Sequence, residues 1–474
     1  MRTIRTRSRF RMLQSAAICG AALSACAAVL VACSDSETTR PTFVEPDSGG
    51  ANLPEAGTPV EAGPQPDAND KDPYSSKDEE VVCATDGGPC AKEIVAGRDH
   101  FCARMADGTV HCWGKDEFGS LGRGSKKEED PAWHIPPVAG LTGVTQISAG
   151  ADTTCARLED GGIRCWGGNR DAELALTEDG PPMSDWEPHP DPVQPAGVGS
   201  AKRVDVGHGT ICAVLDDGKL WCWGRAGNGQ LARPIPTDSL YGSPQVAEVE
   251  PLTVASARSG SHSTLGLTTN GELWSWGALS GKEGYCSGVV ASISPSIVPR
   301  KIKELASVTS FAISEHFQVE IGVEQFPPQA HACAIANNGN VYCWGRSDKT
   351  ALCTGKPDRE IAPAAAPVES KAWPQRIAVA REITCVRMTD GSVQCCGSNE
   401  RGRMGLPLQT THSALLTPVA SFEGHAVQIA ISDGSVCALV QGGTIQCWGS
   451  NINGELGTTD PDENDHPEPL LVSF

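Results

Sequence analysis

The sequence predicts an all-β fold: a seven-bladed β-propeller, a closed ring of seven sheets with four strands each. Three observations carry the prediction. The string CARMADGTVHCWG (Cys102–Gly114) recurs six more times in related form. The copies are spaced as blades are. Composition is that of short strands and turns, with 52 glycines, 34 prolines and only 5% aromatic residues in 474.

The chain opens on a targeting segment. MRTIRTRSRFR is basic, and the apolar run AAICGAALSACAAVLVAC follows, ending at Cys33. Leu30-Val31-Ala32-Cys33 resembles the lipobox of bacterial lipoproteins, and so does Leu23-Ser24-Ala25-Cys26. Cys33 is the better lipidation site, because cleavage at Cys26 would leave AAVLVAC on the mature chain. An ordinary secretory signal or an uncleaved anchor helix is the competing reading. Residues 1–32 are therefore expected to be a lipoprotein signal peptide. Residues 33–80 are rich in Ser, Thr, Pro, Gly, Asp and Glu, with too few large apolar side chains to fold. They are expected to be a disordered tether, and residues 81–474 the propeller. No other segment has the ~20 apolar residues that span a bilayer.

Net charge is -20, and residues 1–32 contribute five arginines and no acid. Such a surface repels phosphate backbones, so nucleic acid is not an expected partner.

Each repeat reads as a hairpin. Folding the first copy about Asp107 sets Cys102 opposite Cys112, with a three-residue turn Ala106-Asp107-Gly108. The third turn position is glycine in all copies: Gly108, Gly161, Gly218, Gly271, Gly339, Gly391 and Gly443. That position needs a left-handed backbone, which glycine adopts without steric cost. Opposed cysteines on one face lie within bridging distance. Six cross-strand disulfides are expected: Cys102–Cys112, Cys155–Cys165, Cys212–Cys222, Cys333–Cys343, Cys385–Cys395 and Cys437–Cys447. The fourth copy has Leu265 and Ser275 at these positions, so both cysteines are lost together, as bonded ones should be. Zinc sites bring close Cys or Cys/His pairs from two hairpins, unlike these isolated pairs, so no metal is expected. An exported chain also meets an oxidising compartment. Cys83 and Cys90 flank ATDGGP and can close a small loop. A bridge between Cys286 and Cys353 is a weaker expectation. Cys396 stands in the repeat's Trp position and is expected to be buried and unpaired.

The second cysteine position falls at 112, 165, 222, 275, 343, 395 and 447. Alternating apolar stretches such as Pro136–Gly150 and Pro418–Ser432 supply two more strands per repeat, making a four-stranded blade. The units VAGRDHFCARMADGTVHCWGKDEFGSLG (Val95–Gly122) and AISDGSVCALVQGGTIQCWGSNINGELG (Ala430–Gly457) resemble the regulator-of-chromosome-condensation (RCC-type) repeat. The resemblance runs over residues ~91–474 and implies a seven-bladed β-propeller. The added cysteine pairs fit an exported, bacterial version. The ending HPEPLLVSF (His466–Phe474) resembles the strand between hairpins, and it is expected to complete the first blade. The best-known family member drives nucleotide exchange on a small GTPase. That activity belongs to particular loops and is not carried over here.

No G-x-S-x-G, H-E-x-x-H or phosphate-loop motif occurs, and no cofactor is expected. His100 and His331 occupy the family's own histidine position and are expected to be structural. Binding is then expected of the long loops. Thr177–Val193 carries Trp186 and His189, Ala232–Pro244 carries Tyr241, and Ile313–His331 carries Phe317 and Phe326. Exposed aromatics there suit protein contacts. The reading is a non-catalytic, monomeric cell-envelope lipoprotein, lipid-anchored and binding an unidentified protein. An inhibitor role, as in similar exported propellers, fits it. The alternatives are a polysaccharide-binding or polysaccharide-degrading envelope enzyme and a structural surface protein.

Overall fold

The computed structural model describes residues 74–474 apart from 86, 126–134, 178–182, 234–246, 250–251, 261, 278–295, 317–328, 348, 357 and 459. Cys26, Cys33, Tyr241, Cys286, Phe317 and Phe326 lie outside the described residues. Seven antiparallel sheets form a ring of blades, each a meander in chain order; six have the expected four strands, but the first has three, with only the isolated His111–Pro137 bridge at the fourth place. The inner strands are Ala91–Ala96, Val144–Gly150, Ala201–Val206, Ser256–Ser259, Val308–His316, Pro374–Ala380 and Ala426–Ile431. They line an axial cavity of about 630 Å³. The second and third strands of each blade are the two arms of the repeated hairpin. Every hairpin glycine has the left-handed φ its turn requires, from 78° at Gly339 to 90° at Gly443.

The register sets each cysteine pair directly across the hairpin, and the six bridges all span a Cα separation of 4.1 Å. That is the closer, non-hydrogen-bonded type of antiparallel pair. Leu265 faces Ser275 in the same register in the fourth blade, and both are buried. Cys83 is bridged to Cys90 just ahead of the first strand.

Neighbouring blades are joined by three recurring contacts. In five of the seven hairpins a Trp donates its indole N–H to a backbone carbonyl in the loop of the preceding blade. Trp166 reaches Ser120 at 3.0 Å, Trp223 reaches Glu173 at 2.7 Å and Trp276 reaches Gln230 at 2.6 Å. Trp448 reaches Arg403 at 3.0 Å. A second contact lies along the axis. A polar side chain of one inner strand accepts from a backbone N–H of the next. Glu93 serves Ile147, Gln146 serves Val204, Asp205 serves Ala257 and Ser310 serves Ile377. The third is a buried histidine, with His100 bonded to Thr154 at 2.8 Å and His331 to Thr384 at 3.0 Å.

The expectation that the C-terminal strand completes the first blade is overturned. Asp465–Leu471 pairs with its own hairpin, with Cys447 opposite Leu470, as the fourth strand of the seventh blade. The physical reason is phase. The first blade opens on its own inner strand, Ala91–Ala96, so no inner place is vacant. The ring closes with two of the contacts that recur between other blades. Trp113 donates to the Glu455 carbonyl at 2.8 Å, and the Ile94 N–H donates to Gln428 at 3.0 Å. Phe474 adds an edge contact to the Trp113 ring.

Cys396 is also corrected. It is buried in the Trp slot, but it is bonded to Cys353 of the preceding blade. Cys353 holds the left-handed position (φ 56°) that glycine fills in other loops. A Cβ built at that place on Gly122 would lie 3.0 Å from the Trp166 indole nitrogen. The side chain there points into the next blade's Trp slot. With sulfur on both sides, the indole contact is replaced by a covalent bond.

Candidate functional site

The ring has two faces. One carries the hairpin turns. The other carries the turns between first and second strands and the loops between third and fourth. All three long loops leave the blades on this loop face. The described part of it centres on Trp186, which is 66% exposed. Arg170 lies over its ring at 3.9 Å and over Phe118 of the neighbouring blade at 6.0 Å. Met183 beside it is also exposed. An aromatic–cation–aromatic stack of this kind is rigid and amphipathic, and it presents both apolar area and charge.

His189 does not join that stack. Its ring bonds Asp185 at 2.8 Å, and Asp185 accepts from the Asn169 side chain at 2.6 Å. The seventh blade repeats the arrangement, with His466 on Asp462 at 3.0 Å and Asn451 on Asp462 at 2.9 Å. His189 therefore fastens its loop. The paired strings DWEPHP (185–190) and DENDHP (462–467) were the signal in the sequence for this.

The buried histidines cannot act as acids near neutrality. Burial pushes His100 and His331 down to about 4. Glu173, beneath the loop face, is pushed up to about 8 by burial and by Asp171. Its carboxyl accepts the Asp171 N–H at 2.8 Å, as Gln230 accepts from Asn228 at 2.8 Å one blade on. It is therefore a loop staple, held neutral. Among the described residues no group of three or more His, Cys, Asp or Glu is placed to hold a metal ion.

The axial cavity carries arginines. Arg203 and Arg258 share Asp205, at 2.8 and 2.6 Å. Burial raises the Asp205 pKa, but the two guanidinium groups outweigh it and hold the carboxyl below its usual range.

On the hairpin-turn face, residues 74–80 depart from the expected disordered tether and lie across blades five to seven as a strap. Tyr74 bonds Thr309 at 3.1 Å and stacks edge-on against Trp373. Gln375 donates to the carbonyls of Ser75 and Lys77 at 2.9 and 2.6 Å. Arg376 pairs with Asp78. Glu79 pairs with Arg387, whose side chain is 1% exposed, and with His425, at 2.7 and 2.6 Å. The alternation of partners was not visible in the sequence, because it depends on three blades meeting one segment.

A family model described as "Regulator of chromosome condensation (RCC1) repeat" matches residues 91–120, 144–172, 201–230 and 329–351. A second model of that description matches residues 107–157. The Ultraviolet-B receptor UVR8 of Arabidopsis thaliana is 23% identical over 377 residues, 79% of this chain and 80% of its own length. The E3 ubiquitin-protein ligase HERC2 of Homo sapiens is 26% identical over 275 residues, 55% of this chain but 5% of its own length. The mitochondrial RCC1 domain-containing protein RUG3 of Arabidopsis thaliana is 31% identical over 192 residues, 39% of this chain and 41% of its own length. The chain thus spans less than half the length of the last two. Human WBSCR16 superposes with a TM-score of 0.61 at 18% identity, covering 77% of this chain and 95% of that one, which shows the fold. The chain thus carries RCC1-type repeats at residues 91–172, 201–230 and 329–351, and its sheets are set as the seven blades of a β-propeller.

Proposed function

We propose that this protein is a non-catalytic, lipid-anchored protein of the cell envelope whose propeller binds a protein partner through the loop face. An RCC1-type propeller is in general a protein-interaction scaffold. The observation that carries the reading is the Trp186–Arg170–Phe118 stack on the loop face, with Trp186 exposed. Trp and Arg dominate binding energy at protein interfaces. A relative with these repeats bears the name of a receptor, which supports recognition over turnover. The basic start, apolar run and Cys33 support the anchor.

The test immobilises the oxidised mature chain and exposes it to envelope and secreted extracts of the source cells. A retained protein, lost from a Trp186→Ala/Arg170→Ala variant, is the expected result. Retention that ignores the double substitution sinks the loop face as the site. Retained glycan alone moves the reading to polysaccharide recognition. Cys33→Ser should release the chain from the membrane fraction, and continued acylation would point to Cys26.

A further inference from the structure

The strap groove has a twin among the described residues. Rotating the ring by three blades carries blades five to seven onto two to four. Under that rotation Thr309 falls on Thr145, and both donate to the carbonyl of the facing strand at 3.2 Å, on Ile335 and Arg157. Gln375 falls on Lys202, Arg376 on Arg203, His425 on Thr253 and Gln441 on Thr269. Thr145, Lys202, Thr309 and Gln375 are each the extra residue of a β-bulge near the start of an inner strand. The strap residues cover one set. The other set lines an open groove of about 380 Å³, with Thr145, Arg157, Lys202, Arg203, Thr253 and Thr269 in its walls.

We propose that this open groove binds an extended acidic peptide segment of a partner protein, laid across blades two to four as residues 75–79 lie across blades five to seven. Charge carries the choice of occupant. The chain has a net charge of -20, yet the described lining of this groove holds Arg157, Lys202 and Arg203 and no carboxylate, with Arg203 also bonded to Asp205 on its axial side. The strap supplies the mode of binding. It offers main-chain carbonyls to one bulged residue and carboxylates to two arginines. Lys202 stands where Gln375 takes the carbonyls, and Arg203 where Arg376 takes Asp78. The grooves also differ at one wall. Val214 replaces the buried Arg387, and Arg157 supplies the guanidinium from the other side.

The probe is a labelled peptide of the strap's own sequence, DPYSSKDEE, titrated by fluorescence anisotropy into the full mature chain. Saturable one-to-one binding is expected. It should weaken at least tenfold in Lys202→Glu and in Thr253→Glu, both exposed positions, and fall with added salt. A peptide with both final glutamates and Asp78 made neutral should bind at least tenfold more weakly. Circular dichroism melts confirm that the variants remain folded. Binding indifferent to Lys202→Glu, or absent altogether, overturns the proposal. So does binding that appears only after residues 74–80 are deleted, since the peptide would then occupy the strap groove. Affinity that rises when residues 34–71 are deleted would assign the groove to the chain's own tether and overturn a partner as occupant.

Discussion

Glu173 and Gln230 do the same work in adjacent blades, one as a neutral acid and one as an amide. The folded pKa of Glu173, about 8, lies above its unfolded value. The stability it contributes is full below the unfolded pKa and is lost as pH rises through the folded one. Glu173→Gln should therefore leave the thermal midpoint near pH 5 almost unchanged and raise it progressively up to about pH 8, with no further gain above. Differential scanning fluorimetry across that range checks it. Cys353 and Cys396 allow a second substitution. Their bridge closes a loop with a sequence separation of 43, worth about 4 kcal/mol in the chain-entropy account. Cys396→Ala should lose most of that. Cys353→Gly with Cys396→Trp should recover a large part, because the Ala351 carbonyl, now bonded by Thr384 at 2.7 Å, can also accept the indole. Gln230 accepts from both Thr264 and Trp276 in this way. Denaturant melts of the three proteins decide it.

At the scale of elements, the hairpins were legible and their joints were not. A hairpin is local. Two-residue alternation, a turn glycine and opposed cysteines state its register within thirteen residues. The joints are non-local. Nothing near Cys396 in the chain shows that the Trp slot receives a side chain from the preceding loop, so its pairing with Cys353 was missed. The strand at 465–471 was misplaced for a similar reason, since an outer strand looks alike whichever blade it joins. Of the loop residues expected to bind, Trp186 stands exposed and His189 is consumed in a local staple. Blade four is the weak element. It lacks a cross-strand bridge, and the indole N–H of Trp344 on the following blade finds no partner among the described residues. Hydrogen exchange should be fastest in Ser263–Gly277 among the seven hairpins. Leu265→Cys with Ser275→Cys should form a seventh bridge, seen as an intact mass lower by two hydrogens, and should slow that exchange.

For the whole molecule, no clasp strand joins the first and last blades among the described residues, so the ring's integrity rests on the contacts between neighbouring blades. Several pass through buried neutral histidines. His100, His262 and His331 are each pushed down to about 4 by burial. A depressed histidine contributes stability that is full above the unfolded pKa near 6.5 and is lost as pH falls through the folded value. The thermal midpoint should fall steeply between pH 6.5 and 4. His100→Gln, which can still bond Thr154, should flatten that fall, and a pH series of melts reads it. Reduction should act mainly within the blades, since it opens six hairpin bridges, and at one joint, the Cys353–Cys396 bridge between blades five and six.

The strap also decides how the molecule bears mechanical load. A chain pulled at its N-terminus is not pulled at blade one. Tension first meets Tyr74 against Trp373, then the carbonyls held by Gln375, then the paired Arg376 and Arg387. These contacts lie in sequence along the segment, so they would peel one after another, each dissipating part of the pull. The Cys83–Cys90 loop stands behind them as a covalent stop, close against the first strand. A propeller held this way has a yielding element in series with a rigid one, and single-molecule stretching from the N-terminus would record the strap's release as a short, low-force step before any blade opens.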